Sequence, residues 1–193
     1  EDGRGLHLGQ FNTGDHVLAI CKDGTYYTTT FDLSSRYQGD LLKIEKLDPN
    51  KVYTALYYDK SVTSFYVKRF SFDVSDNTPV SFISDAKGSY LVELSDDRHP
   101  QFEITFGGKN VNRDPENVDA EEFIAKKGLQ AKGKKVSALD VKSVRFIEPL
   151  YKEGDDVVPE ESEAENIAGE IDNSDVEDPI DIELDEDTQL TLF

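Results

Sequence analysis

The sequence predicts an all-β domain of short antiparallel strands, repeated as about three propeller-like, four-stranded blades and followed by an acidic tail. Three observations carry this. Runs of β-branched and aromatic residues recur at short intervals up to residue 150. Two stretches repeat: "VLAICKDGTYY" (17–27) shares its plan of apolar strand, turn glycine, small hydroxyl and tyrosine with "VSFISDAKGSYL" (80–91). "GDLLKIEKLDPNKV" (39–52) is echoed by "GKKVSALDVKSV" (133–144). There Gly39 matches Gly133 and Leu42 matches Val136; after a two-residue slip Leu47-Asp48 match Leu139-Asp140 and Val52 matches Val144. Finally, charge divides the chain. Residues 1–152 hold all 21 Lys and Arg against 23 acids, a net of −2, whereas residues 153–193 hold 17 acids and no base.

Each element has a local reason. "HVLAICKDGTYYTTTF" (16–31) is a β-rich run broken once by Asp23-Gly24, a tight hairpin turn in which glycine relieves the positive φ. "DLLKIEKL" (40–47) alternates in part, as a half-buried strand does; Asp48-Pro49-Asn50 is a turn, and "KVYTALYYD" (51–59) and "SFYVKRFSF" (64–72) are the next strands. "PVSFISDAKGSYLVEL" (79–94) reads as a second hairpin turning at Lys87-Gly88. "QFEITFGG" (101–108) alternates cleanly, and residues 109–122 read as polar loop. "EEFIAKKGL" (121–129) suits a short strand or a helical turn, and "KKVSALDVKSVRFIEPL" (134–150) gives one or two closing strands. The tail repels itself and cannot bury enough apolar surface to offset the entropy of ordering, so disorder is expected over 153–188.

Several function classes find no support. No apolar run is long enough to span a membrane, and a chain that opens on Glu1 without a signal segment is expected to be a piece of something longer. One cysteine gives no disulfide framework and suits a cytosolic chain; Cys21, in an apolar strand, reads as a small buried hydrophobe. Three scattered His and one Cys give no zinc spacing. No Gly-x-Ser-x-Gly elbow surrounds a serine, and Gly107-Gly108-Lys109-Asn110 lacks the spacing of a phosphate loop. Tyr26, Tyr27, Tyr57 and Tyr58 read as structural strand residues, and His7, His16 and His99 as surface or strand residues.

"GRGLHLGQFNTGDHVLAICKDGTYYTTTFDLSSRYQGDLL" and "DAEEFIAKKGLQAKGKKVSALDVKSVRFIEPL" resemble the C-terminal region of the tyrosine-bearing subunit of bacterial type IIA topoisomerases, in particular that of the Bacteroidetes kind of topoisomerase IV, also called DNA gyrase. The resemblance covers about residues 3–152. It implies a β-pinwheel that binds DNA on its rim and bends it, presenting a segment for ATP-dependent strand passage, in a cytoplasmic, nucleoid-associated enzyme. It also implies that the catalytic tyrosine and magnesium site lie elsewhere. This fragment would carry no cofactor, with Mg2+ and ATP serving other domains and the separate ATPase subunit of the topoisomerase. The gyrase-type loop of glutamine, paired arginines and glycines is absent, Gln130-Ala131-Lys132-Gly133-Lys134 being a degenerate echo, so decatenation or relaxation is expected rather than strong wrapping. The family usually has five or six blades, so a domain begun part-way through, or a short open disc, is expected over 1–152.

The strongest nucleic-acid signal is residues 124–145, where Lys126, Lys127, Lys132, Lys134, Lys135, Lys142 and Arg145 face a single acid, Asp140, for a local net of +6. Cations along one edge neutralise duplex phosphates and release counterions; the bland alternative is a solvated face. Arg36, Lys43, Lys46, Lys68 and Arg69 are secondary candidates at related repeat positions. No side-chain set reads bases, so contact with double-stranded DNA is expected without sequence preference. A propeller-like protein-interaction scaffold with no DNA role is the alternative for the body. The tail could compete with DNA for the basic rim, or merely solubilise. Its tip, Gln189, Leu190, Thr191, Leu192 and Phe193, resembles the short motif by which replication proteins dock on the bacterial sliding clamp. Each buried apolar side chain there would contribute roughly 1.5–3 kcal/mol. The alternative for the tip is folding back onto the body as an added strand.

Overall fold

In the computed structural model, which describes residues 7–32, 35–37 and 39–149, Asp23 and Gly24 turn the chain between β1 (His16–Cys21) and β2 (Thr25–Thr30). The Asp23 carboxylate accepts from the Thr25 amide at 2.9 Å and the Thr25 hydroxyl at 2.7 Å, an Asx turn. Gly24 takes φ +85°, and Ile83 packs where a Cβ would project. β3 (Leu41–Lys46) pairs with the other side of β1. The next hairpin, β4 (Tyr53–Asp59) and β5 (Ser64–Phe70), is turned in the same way, Asp59 accepting from the Ser61 amide and hydroxyl at 2.9 and 2.6 Å.

From there the chain repeats a rule. After each hairpin a two-residue strand crosses to the preceding sheet, and the next strand returns to its own. β6 (Val80–Ser81) pairs with β2, and β7 (Tyr90–Ser95) with β4. After the hairpin β8 (Gln101–Phe106) and β9 (Glu116–Asp119), β10 (Lys134–Lys135) pairs with β5 and β11 (Val141–Ile147) with β8. Three antiparallel sheets result, in the orders β3-β1-β2-β6, β10-β5-β4-β7 and β11-β8-β9. They bear out the all-β, three-blade expectation, with four strands in two sheets and three in the third. Each crossing strand is followed by a buried apolar residue whose amide donates to the receiving sheet: Phe82 to the Gly24 carbonyl and Val136 to the Phe65 carbonyl, both at 3.0 Å.

This linkage corrects several expectations. Residues 79–94 are not a hairpin, because β6 and β7 belong to different sheets and Lys87-Gly88 leads from one to the other. The second repeat is misaligned. Asp40 and Asp140, just ahead of β3 and β11, offer their carbonyls to Lys22 and Gly107 at the ends of β1 and β8, so Gly39 answers to Leu139 rather than Gly133. Residues 109–122 are not wholly loop: a 3-10 turn at Gly108–Asn110, β9 and a one-turn helix, α1 (Ala120–Phe123), occupy much of them. The one or two closing strands expected from residue 134 on are two, β10 and β11, as that reading allowed, and they lie in different sheets.

The sheets stack in chain order. Leu18, Ile20 and Tyr26 of the first meet Tyr53, Ala55 and Phe70 of the second around Phe72 and Phe82. Leu56, Phe65 and Val67 of the second meet Phe102, Ile104, Phe106 and Val144 of the third. The second sheet is therefore covered on both faces, which is why β4 is a near-continuous apolar run. β8 alternates instead, leaving Gln101, Glu103 and Thr105 on an outward face shared with Ser143 and Arg145. Cys21, as expected, is buried. Among the described residues no helix is long and apolar enough to cross a membrane. The tail (153–188), its tip (Gln189, Leu190, Leu192, Phe193) and the domain boundary at 152 lie outside the described residues.

Candidate nucleic-acid interface

The basic segment starts where α1 ends. Asp119 caps α1, its carboxylate accepting from the Glu121 and Glu122 amides at 2.7 and 3.2 Å. Ile124 and Leu129 are buried and pin the chain on either side of Lys126 and Lys127, and the Lys127 amide donates to the Arg69 carbonyl at 2.8 Å. Beyond Leu129 the loop runs across β5 to become β10. The Tyr57 hydroxyl donates to the Lys132 carbonyl, and the Lys132 ammonium bridges to Asp59 at 2.7 Å while lying over the Tyr66 ring at 4.7 Å. Gly133 follows at φ +90°.

All seven cations expected here are exposed on this segment or on β11, Lys132 with its charge engaged by Asp59. Lys127, Lys132 and Lys134 line one groove of about 400 Å3 with Phe123, Ile124 and Ala131. The Lys134 ammonium lies 3.9 Å from the centre of the Phe123 ring and donates to the Phe123 carbonyl at 3.1 Å. Arg145 bridges to Glu103 across the strand pair at 2.8 Å. Lys126, Lys127, Lys134, Lys135 and Lys142 form no ion pair among the described residues.

The secondary candidates fare differently. Lys68 is 3% exposed, its ammonium donating to the Phe82 carbonyl at 2.7 Å and the Leu129 carbonyl at 2.6 Å. Burial pushes its pKa down to about 8. Arg69 is also buried and pairs with Glu121 at 3.2 Å. Neither can reach a duplex: β5 is packed between two other sheets, and both side chains are buried against protein. Lys43 is engaged by Asp96 and Glu45, which Lys51 also bridges, and Tyr53 donates its hydroxyl to Glu45. Lys46 pairs with Asp15 at 2.6 Å. Arg36 is exposed beside Tyr37, which packs on the face of the first sheet turned away from the second.

Sequence reasoning missed Asp59, Tyr57 and Phe123. Burial works against the Asp59 carboxyl's charge, but the Lys132 ammonium and the Ser61 hydroxyl and amide outweigh it and hold the group below the usual carboxylate range. The same bridge raises Lys132. Only the Asp-x-Ser turn pattern at 59–61 signals a constrained aspartate; its partner, 73 positions on, is supplied by the strand crossing between sheets. Among the described residues no group of three His, Cys, Asp or Glu could hold a metal ion.

A family model described as Topoisomerase C-terminal domain, Bacteroidota, matches residues 1–148. No curated protein matches the chain.

Proposed function

This chain belongs to the topoisomerase C-terminal domain family of Bacteroidota, and from that premise we propose that residues 1–152 are the DNA-binding, DNA-bending β-pinwheel of the tyrosine-bearing subunit of a topoisomerase IV-like enzyme. The single observation that carries the reading is the set of five exposed lysines that have no acidic partner among the described residues: Lys126, Lys127, Lys134 and Lys135 on the segment tied to β5 of the second sheet, and Lys142 on β11 of the third. Such a set can neutralise phosphates along one side of a duplex; no base-reading side chain accompanies it, so binding is insensitive to sequence. The engaged cations Lys43, Lys46 and Arg145 contribute less, and Lys68 and Arg69 contribute no contact.

In the intact enzyme the domain would steer one duplex segment toward ATP-dependent strand passage, favouring decatenation or relaxation. Mg2+ and ATP would serve other domains and the ATPase subunit. The 17 acids of residues 153–193 support a competitor for the lysines, and Gln189, Leu190, Leu192 and Phe193 a docking peptide for a replication partner such as the sliding clamp. Binding of a mixed-sequence duplex across a salt series tests the central reading.

A further inference from the structure

The basic loop is fixed by groups that no duplex can touch. Asp59 is 1% exposed, Tyr57 is buried and Lys68 is buried, yet they hold the Lys132 ammonium, the Lys132 carbonyl and the Leu129 carbonyl respectively. All three belong to the β4–β5 hairpin, whereas the loop belongs to the next repeat. We propose that Asp59 and Lys132 are a positioning pair: Lys132 anchors the loop that carries Lys127, Lys134 and Lys135 and does not itself contact DNA.

The proposal rests on the DNA reading above and assigns its seven cations different tasks. A phosphate that drew Lys132 away would leave the Asp59 carboxylate buried beside only Ser61 and other neutral donors, and an uncompensated buried charge is costly. The ammonium therefore stays on the protein side. Its chain neighbours are tied down too. Gly133 lies against the Val67 carbonyl, Lys134 and Lys135 pair with Val67 and Tyr66, and the Val136 amide donates to the Phe65 carbonyl. A loop backbone held this way has little conformational freedom left to lose, so Lys127, Lys134 and Lys135 meet phosphates at the cost of ordering their side chains alone.

The test uses the full 193-residue chain with Asp59→Asn, Lys132→Gln, Tyr57→Phe and the Asp59→Asn/Lys132→Gln double variant. Asn keeps the oxygen that closes the Ser61 turn and puts an uncharged NH2, which cannot accept from the ammonium, in place of the oxygen that faces Lys132. Amide hydrogen exchange at Val136 is measured without DNA, and affinity for a mixed-sequence duplex across a potassium chloride series. Each single variant is expected to speed Val136 exchange about tenfold through local opening. Each is expected to weaken DNA binding about fivefold with the salt slope unchanged, the double being no worse than either single, as coupled partners behave. Two results overturn the proposal. One is Lys132→Gln flattening the slope by about 0.9, one phosphate contact, with exchange unmoved. The other is Asp59→Asn tightening DNA binding with a steeper slope, which makes Asp59 a competitor for a contacting lysine. Should the native chain bind no duplex, the DNA reading fails while the exchange rates still decide whether the pair positions the loop. If Asp59→Asn does not fold, Lys132→Gln and Tyr57→Phe carry the same decision.

Discussion

Gly133 passes over Val67 of β5 so closely that a Cβ on it would collide with the Val67 carbonyl oxygen and stand 2.8 Å from the Lys68 Cβ. Its φ of +90° would strain any other residue independently. Gly133→Ala is therefore expected to destabilise the domain by at least about 2 kcal/mol, since backbone strain and a backbone clash add. Gly128, five residues earlier, has nothing within 4 Å of its would-be Cβ, so Gly128→Ala should change stability by no more than about 0.5 kcal/mol. Urea midpoints of the two variants check the contrast.

Lys68 makes stability depend on pH with an unusual sign. Its folded pKa of about 8 lies below the ordinary 10.5, so between those values the unfolded chain holds more protons than the folded one. Stability from this group therefore rises with pH across that window and carries its full penalty below pH 8. The gain between pH 8 and 9.5 is about 1.5 kcal/mol. Neutral lysine still has two N–H groups for its two carbonyl partners. Tyr26, Tyr53 and Tyr57 are raised by burial and oppose the trend as pH rises through and above the ordinary tyrosine value of 10, and the buried Cys21 thiol, raised likewise, opposes it from about its ordinary 9.0, so the Lys68 contribution is read from urea titrations over pH 7.5–9.5 as the difference between the native chain and a variant at this position. Lys68→Met should flatten the rise whatever its absolute stability.

Phe82 and Val136 occupy corresponding places, each following a crossing strand and each filling the space between two sheets. Phe82 stands 5.5 Å from the Phe70 ring and 5.3 Å from the Phe72 ring. Phe82→Ala is expected to cost about 3–5 kcal/mol. Val136→Ala should cost about 1–2 kcal/mol, because fewer methyl groups are lost. Thermal unfolding of the two proteins ranks them.

Removing residues 153–193, with their 17 acids, is expected to tighten duplex binding severalfold at low salt and to have less effect as screening shortens the reach of the tail's charge. Equal affinity of the long and short forms at all salt concentrations would leave the tail a solubilising segment. A pull-down with Leu192→Ala plus Phe193→Ala addresses the tip separately: loss of the partner is the expected result.

The longer strands were legible because each carries its own signal. β1 and β2 announce themselves by β-branched and aromatic residues around Asp23-Gly24, and β8 by strict alternation. Partner choice was not legible. Val80-Ser81 and Lys134-Lys135 are two residues long, too short for a period to specify which edge they join, and that choice is made by Phe82 and Val136 finding apolar space between sheets. β9, "ENVD", was hidden by residues with poor strand propensity that pairing with β8 overrides. The basic stripe was visible as composition. Lys68 and Arg69 could not be separated from it by sequence, because a lysine capped by two carbonyls between sheets looks, in one dimension, like any surface lysine.

The most direct measurement is the salt dependence of duplex binding by the full chain, read by fluorescence anisotropy, beside Lys126→Gln/Lys127→Gln/Lys135→Gln. Five phosphate contacts should give a slope of log affinity against log salt near −4.5, and removal of three a slope near −2. A native slope near zero, or a triple variant indistinguishable from the native chain, would contradict the assignment of these lysines to DNA.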